Sequence, residues 1–379
     1  MKIIIATPLY PPEIAPSAAY IKQTALKLSD KHEVVIVAYA STAEKVPKTT
    51  LITVSKRRPL PVRLVEYVFS LFRASSGADV IYAQNAVAAG LPAIIVGYLR
   101  NIPVVLNFAI DEAWERATQM HLTTKSFEEF IKSKEGNLKI RLIKSLERIV
   151  LRSANTITTP SQYLAEKIAL EYGFPRKKIV VNYGVAPKEE ILPLKTHSAK
   201  HQIVTISKLV DWQNIEGIIR AIHLLKEKFF DIKLIVAGTG PEEENLKALA
   251  EKLDIVDRVS FLGQISHAEE WYIIKNSEVF ISNSSYDDLS YSILRSLRAK
   301  IPVIANKIKG IDEIVTDKET GLLVIPNDYE ALADAISKIF KDPEFSKTMV
   351  KNAEKMLTKK FSWESHILKL EEVLKSTQK

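Results

Sequence analysis

The chain has 379 residues, 46% hydrophobic and 26% charged, with no cysteine and a net charge of +8. This composition excludes a disordered chain, disulfides and thiolate metal sites, and the length provides for two domains of ordinary size. Residues 1–195 hold 27 Lys+Arg against 17 Asp+Glu and the remainder 26 against 28, so +10 and −2 sum to the +8, and the basic first half calls for an anionic partner: nucleic acid, an anionic membrane surface or a phosphorylated lipid.

Short β-branched runs predict strands at 2–6, 33–38, 51–54, 80–83, 104–108, 156–159 and 179–182. The first follows Met1 too directly for a secretory h-region, so no signal peptide is expected. Helical periodicity fills the intervals at 19–28, 62–73, 86–99, 127–151 and 162–171. The uncharged stretch 80–99 is interrupted by Gln84, Asn85, Gly90, Pro92 and Gly97, which predicts a buried strand–loop–helix rather than a membrane span. A polar stretch, 187–202, reads as a linker. The alternation then restarts, with strands at 203–206, 233–237, 259–262, 279–281, 303–305 and 322–325. Helices are predicted at 215–229, 242–253, 268–275, 290–298 and 329–340, and from 344 to 374 with a break near Ser362-Trp363. Strands alternating with helices predict two α/β domains with parallel sheets, whose ligands bind at the carboxyl ends of the strands, in a cleft between facing domains.

Four loops after strands carry the candidate chemistry. The first runs from Thr7 to Ala18 and includes Tyr10, Ala15, Pro16 and Ser17; it is either a Pro-rich turn or an anion site at a helix N-terminus. In the second, Ser207 to Asn214, Lys208 neutralises a phosphate or is a solvated charge, and Trp212 stacks on a ring or packs. The third, Ala237-Gly238-Thr239-Gly240-Pro241, allows close backbone approach to a nucleotide, and a tight turn explains it equally well. The fourth holds Asp287, Asp288, Leu289 and Ser290 ahead of Arg295; without a convergent His or third carboxylate, capping or sugar contacts are favoured over a metal. A basic, amphipathic helix at 137–153 either rests on an anionic bilayer or is a core helix with a solvated basic face.

Together these segments resemble, in order and nearly end to end, glycosyltransferase family 4, the retaining GT-B enzymes. The resemblance lies in Tyr10-Pro11-Pro12-Glu13, Asn182-Tyr183-Gly184-Val185 and Ala237-Gly238-Thr239-Gly240-Pro241. It continues through Phe261-Leu262-Gly263, Ile301-Pro302-Val303, Gly310-Ile311-Asp312-Glu313 and Thr320-Gly321-Leu322-Leu323 to Phe361-Ser362-Trp363-Glu364. It implies two Rossmann-like domains: an acceptor-binding one over 1–190, rejoined by a helix at 362–379, and a donor-binding one over 200–361. Glu112-Ala113-Trp114 is similar to a segment of members that extend sugars on isoprenoid-lipid diphosphates.

The resemblance implies a donor site of Ser207, Lys208, Trp212, Gln213, Gly238, Gly240, Leu262, Asp287, Asp288, Leu289, Ser290 and Arg295. The acceptor site it implies holds Tyr10, Ala15, Pro16, Ser17, Asp111 and Glu112. Departures concentrate in the donor set. Gln213 replaces a cation, and Asp287 and Arg295 take the places of two Glu with seven residues between them. Arg has donors only, so it cannot accept hydrogen bonds from a ribose diol; it is expected to contact the diphosphate or an acidic donor sugar.

The implied activity is metal-independent, retaining transfer of a hexose-type sugar from a nucleotide sugar to a hydroxyl acceptor, a lipid-linked or cell-surface glycan precursor. Lys208 and Arg295 would stabilise the leaving diphosphate, Asp287 would orient the sugar and Asp111 the acceptor. No cofactor and no metal is expected. The chain is expected in the cytoplasm, peripheral to the inner face of a membrane. Lacking groove-reading motifs, it is not expected to bind nucleic acid. The alternative is a non-catalytic GT-B partner of an active transferase.

Overall fold

The computed structural model describes residues 1–13, 16–41, 44–120, 122–123, 125, 127–133, 135–185, 200–286 and 289–378. The chain forms two compact units, Met1–Tyr183 with Trp363–Lys379, and Gly184–Ser362.

The first unit is a seven-stranded parallel sheet of β1 (Lys2–Thr7), β2 (Glu33–Tyr39), β3 (Thr49–Val54), β4 (Val80–Gln84), β5 (Val104–Asn107), β6 (Thr156–Thr159) and β7 (Ile179–Val181). Its order is β3-β2-β1-β4-β5-β6-β7. Runs such as Ile3-Ile4-Ile5 and Val34 to Ala38 are buried on both faces, as a helix-covered parallel sheet requires. The helices are α1 (Pro16–Leu28), α2 (Leu60–Ala74), α3 (Leu91–Arg100), α4 (Glu112–Gln119), α5 (Phe127–Lys132), α6 (Leu138–Ser153) and α7 (Gln162–Tyr172). The chain runs outward through β2 and β3 and then back across through β4 to β7, and the right-handedness of parallel crossovers fixes the face each helix takes. Helices of the two directions therefore lie on opposite faces, and α2, α3 and α6 pack side by side.

The second unit has β8 (Gln202–Ile206), β9 (Lys233–Ala237), β10 (Val259–Gly263), β11 (Val279–Ser282), β12 (Val303–Asn306) and β13 (Leu322–Val324). They form a parallel sheet ordered β10-β9-β8-β11-β12-β13. Around it lie α8 (Ile215–Leu225), α9 (Glu243–Lys252), α10 (His267–Lys275), α11 (Tyr291–Arg298), α12 (Tyr329–Lys341) and α13 (Pro343–Lys360). The last helix, α14 (Trp363–Ser376), belongs to the first unit, where Ile367, Leu370, Val373 and Leu374 share a core with Ile3, Ile5 and Ile21. Among the described residues no helix is long and apolar enough to cross a membrane.

Three elements differ from the sequence expectation. The helix expected over 127–151 is two helices. Gly136 adopts φ +100°, and Asn137 caps α6 by accepting from Ile140 N at 3.0 Å. The helix expected over 86–99 opens as a π-helical turn, Ala86–Gly90, because Asn85 accepts from both Val87 N and Ala88 N at 3.0 and 2.9 Å. The sequence reading omits α4, which starts at an Asp111 cap. Of the expected linker, 187–199 lies outside the described residues and Gln202 begins β8.

Candidate functional site

The order of the second sheet reverses between β8 and β11. At such a switch point the two flanking loops leave in opposite directions and open a crevice at the strand ends. A cavity of about 180 Å³ occupies it, lined by Ser207 after β8, Ser282 at the end of β11, Gln213, and Leu289, Ser290 and Tyr291 at the start of α11. Ser290 caps α11, its hydroxyl accepting from Ile293 N at 3.4 Å. The positive end of that helix therefore borders the cavity, an arrangement suited to an anion. Ser207 Oγ is buried without a hydrogen-bond partner. A buried hydroxyl without a partner costs stability, so a ligand that satisfies it gains the difference.

Backbone and asparagine contacts hold this rim. The Trp212 carbonyl accepts from Ser285 N at 2.8 Å, joining the loops after β8 and β11. Asn283 Nδ2 donates to the Asn214 carbonyl at 2.8 Å, and Asn306 Nδ2 donates to the Asn283 and Ser284 carbonyls at 2.7 and 3.0 Å. Sequence reasoning missed Asn214, Asn283 and Asn306. Their signal was polar amides at or just beyond strand ends, where buried loop carbonyls need donors.

Gly238 and Gly240 act on the rim from beneath. A Cβ on Gly238, which has φ +130°, would sit 1.8 Å from the Ser207 carbonyl oxygen, and one on Gly240 2.1 Å from that of Leu209. Ser207 N donates to the Ala237 carbonyl and Leu209 N to that of Thr239, both at 3.0 Å. The two glycines thus let the β9–α9 turn press against the Ser207–Leu209 loop and fix its path. They stand behind that loop and do not line the cavity.

The other expected donor residues scatter more widely. Lys208 is exposed, next in chain to Ser207; Trp212 is half-buried; Leu262 is exposed at the end of β10. Asp287 and Asp288 lie outside the described residues. Arg295 faces α10 instead of the cavity lining. It is buried, its Nη1 is ion-paired with Glu270, and His267 Nδ1 lies 3.4 Å from its Nη2 and 3.2 Å from Glu270 Oε2. A cation facing the diphosphate was expected here; Glu270 instead neutralises it locally. Among the described residues, no group of three or more His, Cys, Asp or Glu is arranged to hold a metal. A wider groove of about 300 Å³, between α8 and α9 and reaching Val210, Asp211 and Asn214 in the loop after β8, carries both signs of charge. The smaller cavity has the helix terminus and the unsatisfied hydroxyl.

In the first unit the expected acceptor residues are mostly interior. Tyr10 is fully buried in the core, with its hydroxyl pushed up to about 12 by burial and then by Glu44; it packs where a ligand contact was expected. Ala15 lies outside the described residues, Pro16 begins α1, and Ser17 is exposed in its first turn. Asp111 and Glu112 are buried. Asp111 accepts from Trp114 N at 2.7 Å and from the Tyr172 hydroxyl, while Glu147 accepts from Glu112 N at 2.7 Å and Ala113 N at 3.3 Å. Glu112 pairs with Arg116. Burial raises the Asp111 carboxyl and carries that of Glu147 well above its ordinary range, while it lowers the Lys144 ammonium. These groups anchor the N-terminus of α4, where an acceptor-facing carboxylate was expected.

Residues 17–184 match the glycosyl transferase 4-like domain and residues 188–356 match glycosyl transferases group 1. An uncharacterised glycosyltransferase of Methanocaldococcus jannaschii is 24% identical over 238 residues, covering 59% of this chain and 61% of that protein. The α-D-kanosaminyltransferase of Streptomyces kanamyceticus is 27% identical over 160 residues, 42% of each chain. The chain thus spans less than two thirds of the length of these relatives. The Anabaena protein HepE, solved with UDP, superposes with a TM-score of 0.74 at 17% identity, covering 99% of this chain and 100% of that one. Residues 17–184 and 188–356 thus match two consecutive glycosyl transferase domain families, and the two switch-point parallel sheets, with the last helix returned to the first unit, give the chain the GT-B fold.

Proposed function

We propose that the chain transfers a sugar from a nucleotide diphosphate donor to a hydroxyl acceptor, with retention and without a metal. The observation that carries the reading is the cavity at the β8/β11 switch point, where the first turn of α11 meets the unsatisfied Ser207 hydroxyl. A leaving diphosphate gains negative charge in the transition state. The positive end of α11, the hydroxyls of Ser207 and Ser290 and the ammonium of Lys208 would stabilise it. Asp287 would orient the sugar. HepE holds UDP and, in another structure, UDP-glucose, which makes uridine diphosphate sugars the first donors to try. The acceptor would be a lipid-linked saccharide, in keeping with the Glu112-Ala113-Trp114 segment.

Titration calorimetry with UDP and a panel of nucleotide sugars tests this. Binding is expected, weakened about tenfold by Lys208→Ala through loss of one charge-assisted contact. Turnover with a polyprenyl-diphosphate saccharide, followed by proton NMR of the new anomeric centre, reads retention. Absence of heat with every donor overturns the reading. The Arg295–Glu270 pair favours a second one, a non-catalytic partner, because it leaves an arginine where the family has a carboxylate. Donor binding without turnover on any acceptor is the result that would select it.

A further inference from the structure

We infer that the outer face of the α2–α3–α6 layer docks on an anionic lipid bilayer. This goes beyond the donor chemistry and is independent of it, because the layer belongs to the first unit and the donor cavity to the second.

Eleven of the 25 exposed large apolar side chains among the described residues lie on these three helices. Leu60 and Leu64 lie on the opposite side of α2 from the rest, and the nine others follow helical spacing on the outward side. On α2 they form the stripe Val62, Val65 and Phe69, with Val65 71% exposed. On α3 they are Ile95, Tyr98 and Leu99, with Tyr98 88% exposed. On α6 they are Leu138, Leu142 and Ile149, with Leu138 84% exposed. Since α2 packs against α3 and α3 against α6, the stripes form one surface. Apolar exposure this concentrated marks an interaction site.

The charges on the same surface identify the occupant. Arg73 continues the α2 stripe and lies over the Phe69 ring, 5.7 Å from its centroid. Lys139, Arg141, Arg148 and Arg152 flank the α6 stripe, all exposed. No acid of the three helices is exposed: Glu66 is half-buried and paired with Arg58, Glu147 is fully buried, and α3 has none. Apolar side chains between cations, with no exposed acid, match the boundary between anionic headgroups and acyl chains. A second copy would bring the same cations face to face across a two-fold interface, which like-charge repulsion opposes.

Flotation of the full chain with vesicles decides the matter. It is expected to float with equimolar phosphatidylcholine and phosphatidylglycerol, less so in high salt, and to stay behind with phosphatidylcholine alone. Each cation near such a surface is worth about fivefold in partition, so Arg73→Glu, Lys139→Glu and Arg152→Glu together should lower it at least a hundredfold. Val65→Ser with Phe69→Ser should lower it about tenfold or more. UDP titration of each variant should match the parent, which shows the fold intact and keeps this result separate from the donor reading. Equal flotation with both vesicles, no flotation with either, or a dimer by light scattering that Val65→Ser with Phe69→Ser dissolves, would overturn the inference.

Discussion

The two units share one architecture and use its strand ends differently. In the second, the loops after β8 and β11 leave a cavity with an unpartnered hydroxyl and a helix N-terminus. In the first, the described residues expected at the equivalent places are mostly interior: Tyr10 in the core, and Asp111 and Glu112 at the start of α4, where Asp111 accepts from Trp114 N and Glu112 N donates to Glu147. What the first unit exposes is its helix layer. A parallel sheet covered by helices offers two surfaces, its strand ends and an outer helix face; on our proposals a small anionic ligand takes the first in one unit and a bilayer takes the second in the other.

The largest test of the contrast is Gly238→Val. It places a branched side chain at φ +130° with its Cβ on the Ser207 carbonyl oxygen. Strain and overpacking together should cost about 3–5 kcal/mol in urea unfolding. Displacing the Ser207 loop by an ångström should weaken donor binding roughly a hundredfold. Survival of donor affinity would break the comparison, because the rim would not depend on the turn beneath it.

The next tests the first unit alone. His366 is buried on α14; its Nδ1 donates to the Tyr183 carbonyl at 2.7 Å and its Nε2 accepts from the Tyr20 hydroxyl at 2.8 Å. Burial, partly offset by the Tyr183 bond, lowers it from 6.5 to about 4. The unfolded chain therefore binds a proton between these values that the folded chain does not, so this contribution is complete above pH 6.5 and disappears as pH falls toward 4. A loss on the order of 3 kcal/mol is expected over that window, and it should be reduced in His366→Gln. Equal pH slopes in denaturant melts of the two would sink this assignment.

The smallest effect is the sharpest. Ser207→Ala removes a hydroxyl without a partner, so the unfolding midpoint should hold or rise slightly while donor affinity falls about fivefold to tenfold. A fall in stability with unchanged affinity would make the hydroxyl structural.

Much of this was legible in the sequence because parallel strands buried on both faces are continuous apolar runs, and the order of loop motifs specified the fold. Ser207, Gln213, Leu289 and Ser290, which the resemblance placed in the donor set, are among the residues that line the cavity. What stayed hidden depends on partners far along the chain. The helix α4 is short and highly charged, and its cap is completed by Tyr172 and Glu147. Gly238 and Gly240 carry a nucleotide-loop pattern, yet the backbone they approach is that of Ser207 and Leu209. Arg295 gave no sign that Glu270, on another helix, would face it.

That last contact has a consequence for how the protein varies. Reversing the charge at 270 or at 295 alone sets two like charges together where little water reaches; reversing both restores attraction with the polarity exchanged. The two positions should therefore drift as a couple across descendants of this sequence. A mutational scan that changes one residue at a time would rank both as intolerant and overlook the paired exchange that places a carboxylate at position 295.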